Sequence, residues 1–196
     1  MTLLLFGLAL FLGTHAFTMA RAPRRQLIKR LGEGPYKGIY SLLALAGVVL
    51  ISIGYGQYRQ AGYIPVWDPP VWTRHLALVL VWFAFVSLAA AYLPGRIKAT
   101  LKHPMVAGVK IWATAHLLAN GDLGSIILFG SFLAWAVAAR ISAKRRDEVR
   151  PHGGPATASV GWRNDVLAVV LGTAAYLAFV LWLHPALIGV AVLPRG

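Results

Sequence analysis

Long apolar runs separated by short polar stretches dominate this chain. The runs cover approximately residues 2–20, 36–55, 72–93, 104–119, 123–141 and 164–192. A helix needs about 20 residues to cross a bilayer, and only helices or closed barrels can span one. The pattern therefore predicts an all-α fold, a polytopic transmembrane bundle of about six spans with short loops. No loop is long enough to fold alone, so residues 1–196 are predicted to form a single domain.

Glycine and proline mark the ends of several runs. The turn at 32–35 (GEGP) precedes the second run, and Pro94-Gly95 ends the third. The last run is too long for one straight span, so Pro185 is expected to bend or end it. A Gly/Pro/Ala-rich loop is expected between the fifth run and Trp162.

Charge distribution gives the orientation. Only 13% of the residues are charged, against about 25% in average soluble domains, and the net charge is +13. The basic residues concentrate in alternate loops, at 21–37, 96–102 and 144–163, which the positive-inside rule places in the cytoplasm. We therefore expect six spans with both termini outside, and the bilayer itself as the partner of the basic loops. The sequence shows no nucleic-acid-binding motif, and nucleic acid is not an expected partner.

Four histidines lie inside the apolar runs. His75 and His184 are near the outer ends of theirs, so His15 in the first run and His116 in the fourth are the obvious pair. An ionisable side chain in the membrane needs a partner, a water pocket or a metal. Neutral imidazole is a good ligand for haem iron, and the chain has no cysteine that could replace it. His15 and His116 are therefore the predicted metal ligands of a b-type haem. His103, at the inner mouth of the fourth run, matches the depth of His15 better and stays an alternative.

Two neighbours of His116 complete the predicted cofactor site. Trp112 and Asn120 lie one turn before and one turn after His116, on the same helix face. Trp112 could pack against a macrocycle, and Asn120 could orient the imidazole. Hydrogen-bonded histidines between helices are the alternative interpretation. The sequence contains no catalytic triad, phosphate loop or zinc motif, so no catalytic residue is assigned.

Several motifs together resemble the NnrU family: GLALFLGTH (7–15), LGEGPYKGIY (31–40), AYLPGRIK (91–98), and the stretch from His103-Pro104 to HLLANGD (116–122). The likeness covers a core of about residues 1–145, and the last span, about 164–192, is less distinctive. The family comprises integral proteins of the bacterial inner membrane linked to denitrification. It is similar to the plant 15-cis-zeta-carotene isomerase, a b-haem membrane enzyme. That resemblance implies that the haem-site histidines correspond to His15 and His116.

Three functions follow from these observations. The resemblance favours a haem-binding membrane protein that supports nitrite and nitric-oxide reductases, with the reductase machinery as partner. The first alternative is a haem-dependent cis–trans isomerase acting on a carotenoid or another lipophilic polyene. The second is a transporter or quinone-linked electron carrier, because intramembrane Lys110 and His116 can mark a pathway.

Overall fold

The computed structural model describes residues 1–149 and 162–193, and these residues are helical almost throughout. The α-helices are α1 (Thr2–Phe17), α2 (Arg21–Leu31), α3 (Glu33–Gln60), α4 (Val71–Tyr92), α5 (Arg96–Leu101), α6 (Pro104–Ala119), α7 (Leu123–Val149), α8 (Trp162–Ala178) and α9 (His184–Ile188). A π-helical turn, Phe179–Leu183, joins α8 to α9, so the helix continues through Pro185. Within the described ranges there is no strand. The all-α prediction is confirmed; the loop predicted before Trp162 falls mostly on residues 150–161, outside the described ranges.

The chain has the composition of a multi-pass membrane protein. Four helical stretches are long and apolar enough to cross a bilayer: Glu33–Gln60, Val71–Tyr92, Leu123–Arg146 and Trp162–Ile188. A fifth candidate is the pair formed by α1 and α2. Helix α6 has 16 residues, which corresponds to about 24 Å of rise against a hydrocarbon core of about 30 Å. These helices are compatible with the prediction of about six spans.

The basic loop predicted after the first run contains a helix of its own. Helix α1 ends at Phe17, earlier than predicted, and α2 begins at Arg21 after a bend of 88°. Residues 21–31 contain no glycine, and nine of the eleven are the helix-favouring residues Arg, Lys, Leu, Gln or Ala, so they can propagate a helix. None of the α2 residues is buried. The pattern of apolar runs does not predict this helix, because its composition is basic.

Backbone contacts divide the chain into two units, each described by itself. The first unit comprises Met1–Pro69 and Asn120–Ser142. In it α3 packs against α1 and α2, and glycines bring the α1 and α3 backbones together. A Cβ on Gly7 would lie 2.6 Å from the Ile51 nitrogen, and one on Gly47 would lie 2.8 Å from the Phe11 Cβ. The glycines therefore permit a contact between the two helices that no larger residue allows.

The second unit comprises Pro70–Ala119 and Ala143–Gly196, of which 150–161 and 194–196 are not described. Helix α4 packs against both α6 and α8. Two side chains at the start of α8 bond to the segment that follows α4: Asn164 donates to the Pro94 carbonyl at 2.7 Å, and the Asp165 carboxylate accepts from the Ile97 amide at 3.0 Å. These bonds fix the turn between α4 and α5.

Two local interactions follow directly from the sequence. Asp122 caps α7, since its carboxylate accepts a hydrogen bond from the Ser125 amide at 2.9 Å. Glu33 forms an exposed ion pair with Lys37, one turn further along α3, at 2.7 Å. Both are predictable because each needs only a short stretch of chain.

Candidate functional site

His15 lies in the last turn of α1 and is half-buried. Its Nδ1 is 2.8 Å from the carbonyl oxygen of Phe11, one turn earlier. A carbonyl only accepts, so Nδ1 carries the proton and donates it. In a neutral imidazole the lone pair is then on Nε2, which is the arrangement of a histidine that ligates a metal through Nε2.

Aromatic rings from three helices surround the His15 imidazole. The ring centroids of Phe11 and Tyr40 lie 4.1 and 5.4 Å away. Trp135 of α7 meets the imidazole edge-on at 5.8 Å, and Phe132 contacts Phe11 at 5.6 Å. This His15 cluster (His15, Phe11, Tyr40, Phe132 and Trp135) lies entirely within the first unit. It provides flat apolar surfaces beside one imidazole nitrogen with a lone pair.

Two polar groups on α7 are buried in the first unit without a hydrogen-bond partner in the described part of the chain. They are the indole Nε1 of Trp135 and the Nη1 of Arg140. Arg140 follows Trp135 by five residues, a rise of about 7.5 Å. A buried donor without a partner is costly, and a buried cationic donor more so, so native proteins rarely contain one without a reason. Each donor needs an acceptor of its own, because five residues along α7 also turn the two side chains about 140° apart.

Trp135 and Arg140 were not among the residues predicted for the cofactor site, although the position of Arg140 in the sequence indicated a functional role. Arg140 falls inside the fifth apolar run, at 123–141, where an ionisable residue marks a functional position in the same way as an intramembrane histidine does. Its position next to the run's basic end makes it resemble a member of the following charge cluster. The proximity of Trp135 to His15 depends on tertiary packing and had no sequence signal.

His116 lies in the second unit, near the end of α6. Its Nδ1 donates to the Trp112 carbonyl at 2.9 Å, and the Trp112 and His116 ring centroids are 5.1 Å apart. The local arrangement thus repeats that of His15: an aromatic residue one turn earlier accepts the Nδ1 proton. Asn120 lies one residue beyond the end of α6 and belongs to the first unit, as does His15. His103 directly precedes α6 in the second unit.

A pocket of about 310 Å³ opens in the first unit beside the His15 cluster. Residues of α1, α2 and α3 line it, most of them apolar: Phe17, Leu27, Leu31, Ile39, Leu43, Thr14, Tyr36 and Tyr40. Tyr40 belongs to both the pocket wall and the His15 cluster. Tyr36 is only 6% exposed, and its hydroxyl is buried without a hydrogen-bond partner in the described residues.

Comparison with known proteins agrees with the motifs quoted from the sequence. No curated protein and no solved structure matches the chain significantly. A sequence model of the NnrU family, described as NnrU protein, matches residues 3–192. That match covers nearly the whole chain, including the last span, which the motifs alone did not reach. The chain therefore belongs to the NnrU family.

Proposed function

We propose that the chain is a haem-binding membrane protein in which His15 would hold the haem iron. The observation that carries this proposal is the His15 cluster, in which the Nδ1 proton is donated to the Phe11 carbonyl at 2.8 Å. The hydrogen bond fixes both the tautomer and the ring orientation, so that Nε2 is the nitrogen that binds iron. Phe11, Tyr40 and Trp135 supply the apolar surfaces that a macrocycle needs.

Two buried donors on α7, Trp135 of the His15 cluster and Arg140, suit the acidic edge of such a group. A b-type haem carries carboxylate side chains, and Arg140 offers a buried guanidinium nitrogen without a partner in the described residues. Arginine binds carboxylates more strongly than any neutral donor does. The indole Nε1 of Trp135 can donate a second hydrogen bond. When bound, the haem supplies one-electron chemistry or binding of a small gas.

The second axial ligand is proposed from the sequence alone. His116 is the first choice and His103 the alternative, with Trp112 and Asn120 as neighbours that would support His116. His116 shares with His15 the bond from Nδ1 to the carbonyl four residues earlier, which leaves the lone pair on Nε2. The visible spectra of His116→Ala and His103→Ala test these two candidate ligands separately.

The biological role proposed is support of denitrification, in the bacterial inner membrane, with both termini outside. NnrU membership supports this proposal, together with the alternation of basic loops. The partners would be the machinery that makes or operates the nitrite and nitric-oxide reductases. A clean deletion strain should lose a large part of its nitrite or nitric-oxide reduction, and plasmid-borne wild-type chain should restore it. Unchanged reduction in the deletion strain would contradict this role.

The His15 cluster also favours a second candidate, the cis–trans isomerisation of a lipophilic polyene. Its tilted aromatic rings offer an apolar environment to an extended conjugated chain. Co-expression with a tri-cis carotene, followed by chromatographic separation of isomers, tests this activity. A change of isomer profile that His15→Ala removes would support it, and an unchanged profile would exclude the substrate.

The first experiment is a reduced-minus-oxidised visible spectrum of the detergent-purified chain. Wild type is expected to show sharp b-type bands, and His15→Ala to lose them. His184→Ala is the matched control, because His184 also donates from Nδ1 to a carbonyl, that of Val190, at 2.8 Å. If His15→Ala keeps the wild-type spectrum while the chain is folded, His15 is not a ligand and the proposal fails.

A further inference from the structure

The pocket between α1, α2 and α3 has the features of a lipid site. It combines apolar walls, made by Phe17, Leu27, Leu31, Ile39 and Leu43, with one buried polar atom, the Tyr36 hydroxyl. Because Tyr36 is 6% exposed, this hydroxyl cannot obtain its hydrogen bond from bulk water. A ligand for this pocket therefore needs an apolar body and an oxygen that accepts a hydrogen bond near Tyr36.

Helix α2 supplies the charge that selects among such ligands. Its residues include five cations and no carboxylate: Arg21, Arg24, Arg25, Lys29 and Arg30. The nearest acid in sequence, Glu33, is paired with Lys37. Within the described residues none of the five α2 cations forms an ion pair. Arg24 has a weak electrostatic interaction with the Glu33 carboxylate, which is already paired with Lys37, so most of the charge of α2 has no acidic partner in this part of the chain. An amphipathic basic helix of this kind lies along the membrane surface and attracts anionic headgroups.

One of the five cations belongs to the pocket. Arg24 lies on the same face of α2 as Leu27 and Leu31, three and seven residues later, and both of those leucines line the pocket. The Arg24 guanidinium carbon is 5.7 Å from the centroid of the Tyr36 ring, which forms another part of the wall. Arg25 lies about 100° around the helix from Arg24 and has no such contact.

We infer that this pocket binds one anionic phospholipid of the surrounding membrane. Its acyl chain lies among the leucines and Phe17, its phosphate pairs with Arg24, and the Tyr36 hydroxyl donates to a phosphate or ester oxygen. The 88° bend between α1 and α2 holds the cation at the surface above the apolar part of the pocket. The pocket shares Tyr40 with the His15 cluster but is not lined by His15, so His15→Ala should leave lipid binding in place.

Native mass spectrometry of the detergent-purified full chain tests the inference, with phosphatidylglycerol and phosphatidylcholine of equal chain length as the two probes. Wild type is expected to retain one phosphatidylglycerol in preference to phosphatidylcholine. Arg24→Gln should weaken phosphatidylglycerol binding about fivefold, the effect of about one surface cation on an anionic lipid. Arg25→Gln is the matched control and should change binding by less than about twofold, because it retains the pocket cation.

Other results of the same measurement would contradict a bound anionic phospholipid. Equal losses in Arg24→Gln and Arg25→Gln would show a diffuse surface attraction and overturn the site. Equal binding of the two lipids, or a neutral carotene that displaces phosphatidylglycerol and binds Arg24→Gln unchanged, would assign the pocket to an uncharged ligand and also overturn it. Glycerol phosphate that binds as tightly as the lipid would remove the acyl chain from the proposal and contradict it.

A second variant protects the test against a folding defect in Arg24→Gln. Tyr36→Phe deletes only the hydroxyl, keeps the ring beside Arg24, and should weaken phosphatidylglycerol binding about threefold or more because it removes one hydrogen bond. Circular dichroism checks that each variant keeps its helix content. Wild-type lipid binding by a folded Tyr36→Phe chain would overturn the role of the hydroxyl and the placement of the headgroup.

Discussion

The two units differ in how their buried polar groups are satisfied. In the second unit, the Trp82 indole donates to the Thr173 hydroxyl at 2.9 Å, and the Asp165 carboxylate accepts from the Ile97 amide. In the first unit, the Trp135 indole and an Arg140 nitrogen are buried without a partner in the described residues. The same kind of side chain is thus paired in one unit and unpaired in the other.

Buried polar groups without a partner indicate where a ligand could bind. Buried polar groups that pair with one another hold helices together and need nothing else. Polar groups that are buried and unpaired destabilise the ligand-free protein. A ligand that forms hydrogen bonds with them recovers that free energy. Three such atoms lie in the described residues, on Tyr36, Trp135 and Arg140, and all three belong to the first unit. The second unit has the character of a scaffold.

The largest expected effect concerns the glycine packing that holds the first unit together. Gly47→Val would place a side chain against the Phe11 backbone and Cβ, less than 3 Å away, and separate α1 from α3. We expect a loss of about 3 kcal/mol or more in the free energy of unfolding, the upper end for overpacking. Thermal unfolding in detergent measures it. Gly13→Val is the control, because nothing lies within 4 Å of a Cβ there; equal unfolding temperatures for the two variants would contradict the packing.

The next effect separates a ligand role from a structural one at Arg140. Arg140→Met removes the guanidinium, whose Nη1 is buried without a partner in the described residues, and keeps much of the apolar stem. We expect the haem-free chain to become more stable by about 1–3 kcal/mol, while haem retention falls. Thermal unfolding and the haem-to-protein ratio give the two readouts. Arg145→Met, at an exposed position, should change neither; a haem-free Arg140→Met chain less stable than wild type would mean that Arg140 has a structural partner.

A smaller loss of stability is expected in the second unit, where the Asp165 carboxylate already accepts a hydrogen bond. Asp165→Ala leaves the Ile97 amide without its acceptor and should cost about 1–2 kcal/mol, as for a charge-assisted hydrogen bond. Haem content should not change. Asp68→Ala is the control, since Asp68 is exposed. Loss of haem with Asp165→Ala, at unchanged stability, would contradict the scaffold role of this unit.

The smallest effect compares the two tryptophans directly. Trp82→Phe deletes the hydrogen bond to Thr173, whereas Trp135→Phe deletes a donor that has none in the described residues. In the haem-free chain, Trp82→Phe should cost about 1 kcal/mol more than Trp135→Phe. Chemical unfolding of both variants measures the difference. Equal costs would show that the Trp135 indole is satisfied by water or another group.

The sequence predicts the apolar helices well because hydrophobic run length directly reflects the bilayer. It also predicts local features such as the Asp122 cap and the pair between Glu33 and Lys37. It does not predict α2, since a basic helix has no apolar run. The surroundings of His15 could not be predicted from the sequence either. Tyr40 and Trp135 are distant from His15 in sequence, and only packing brings them to the imidazole.

The same sequence separation has a consequence during synthesis of the chain. Residues of α1 and α3 are complete within the first 60, so the glycine contact between them can form early. Trp135 and Arg140 are translated about 95–100 residues after Tyr40, which at typical rates of about 5–20 residues per second is a delay of roughly 5–20 s. His15 is therefore in the membrane well before its α7 neighbours exist. Under the proposed function, cofactor loading has to wait for the fifth apolar run, and a chain truncated before α7 should insert without ever holding the cofactor.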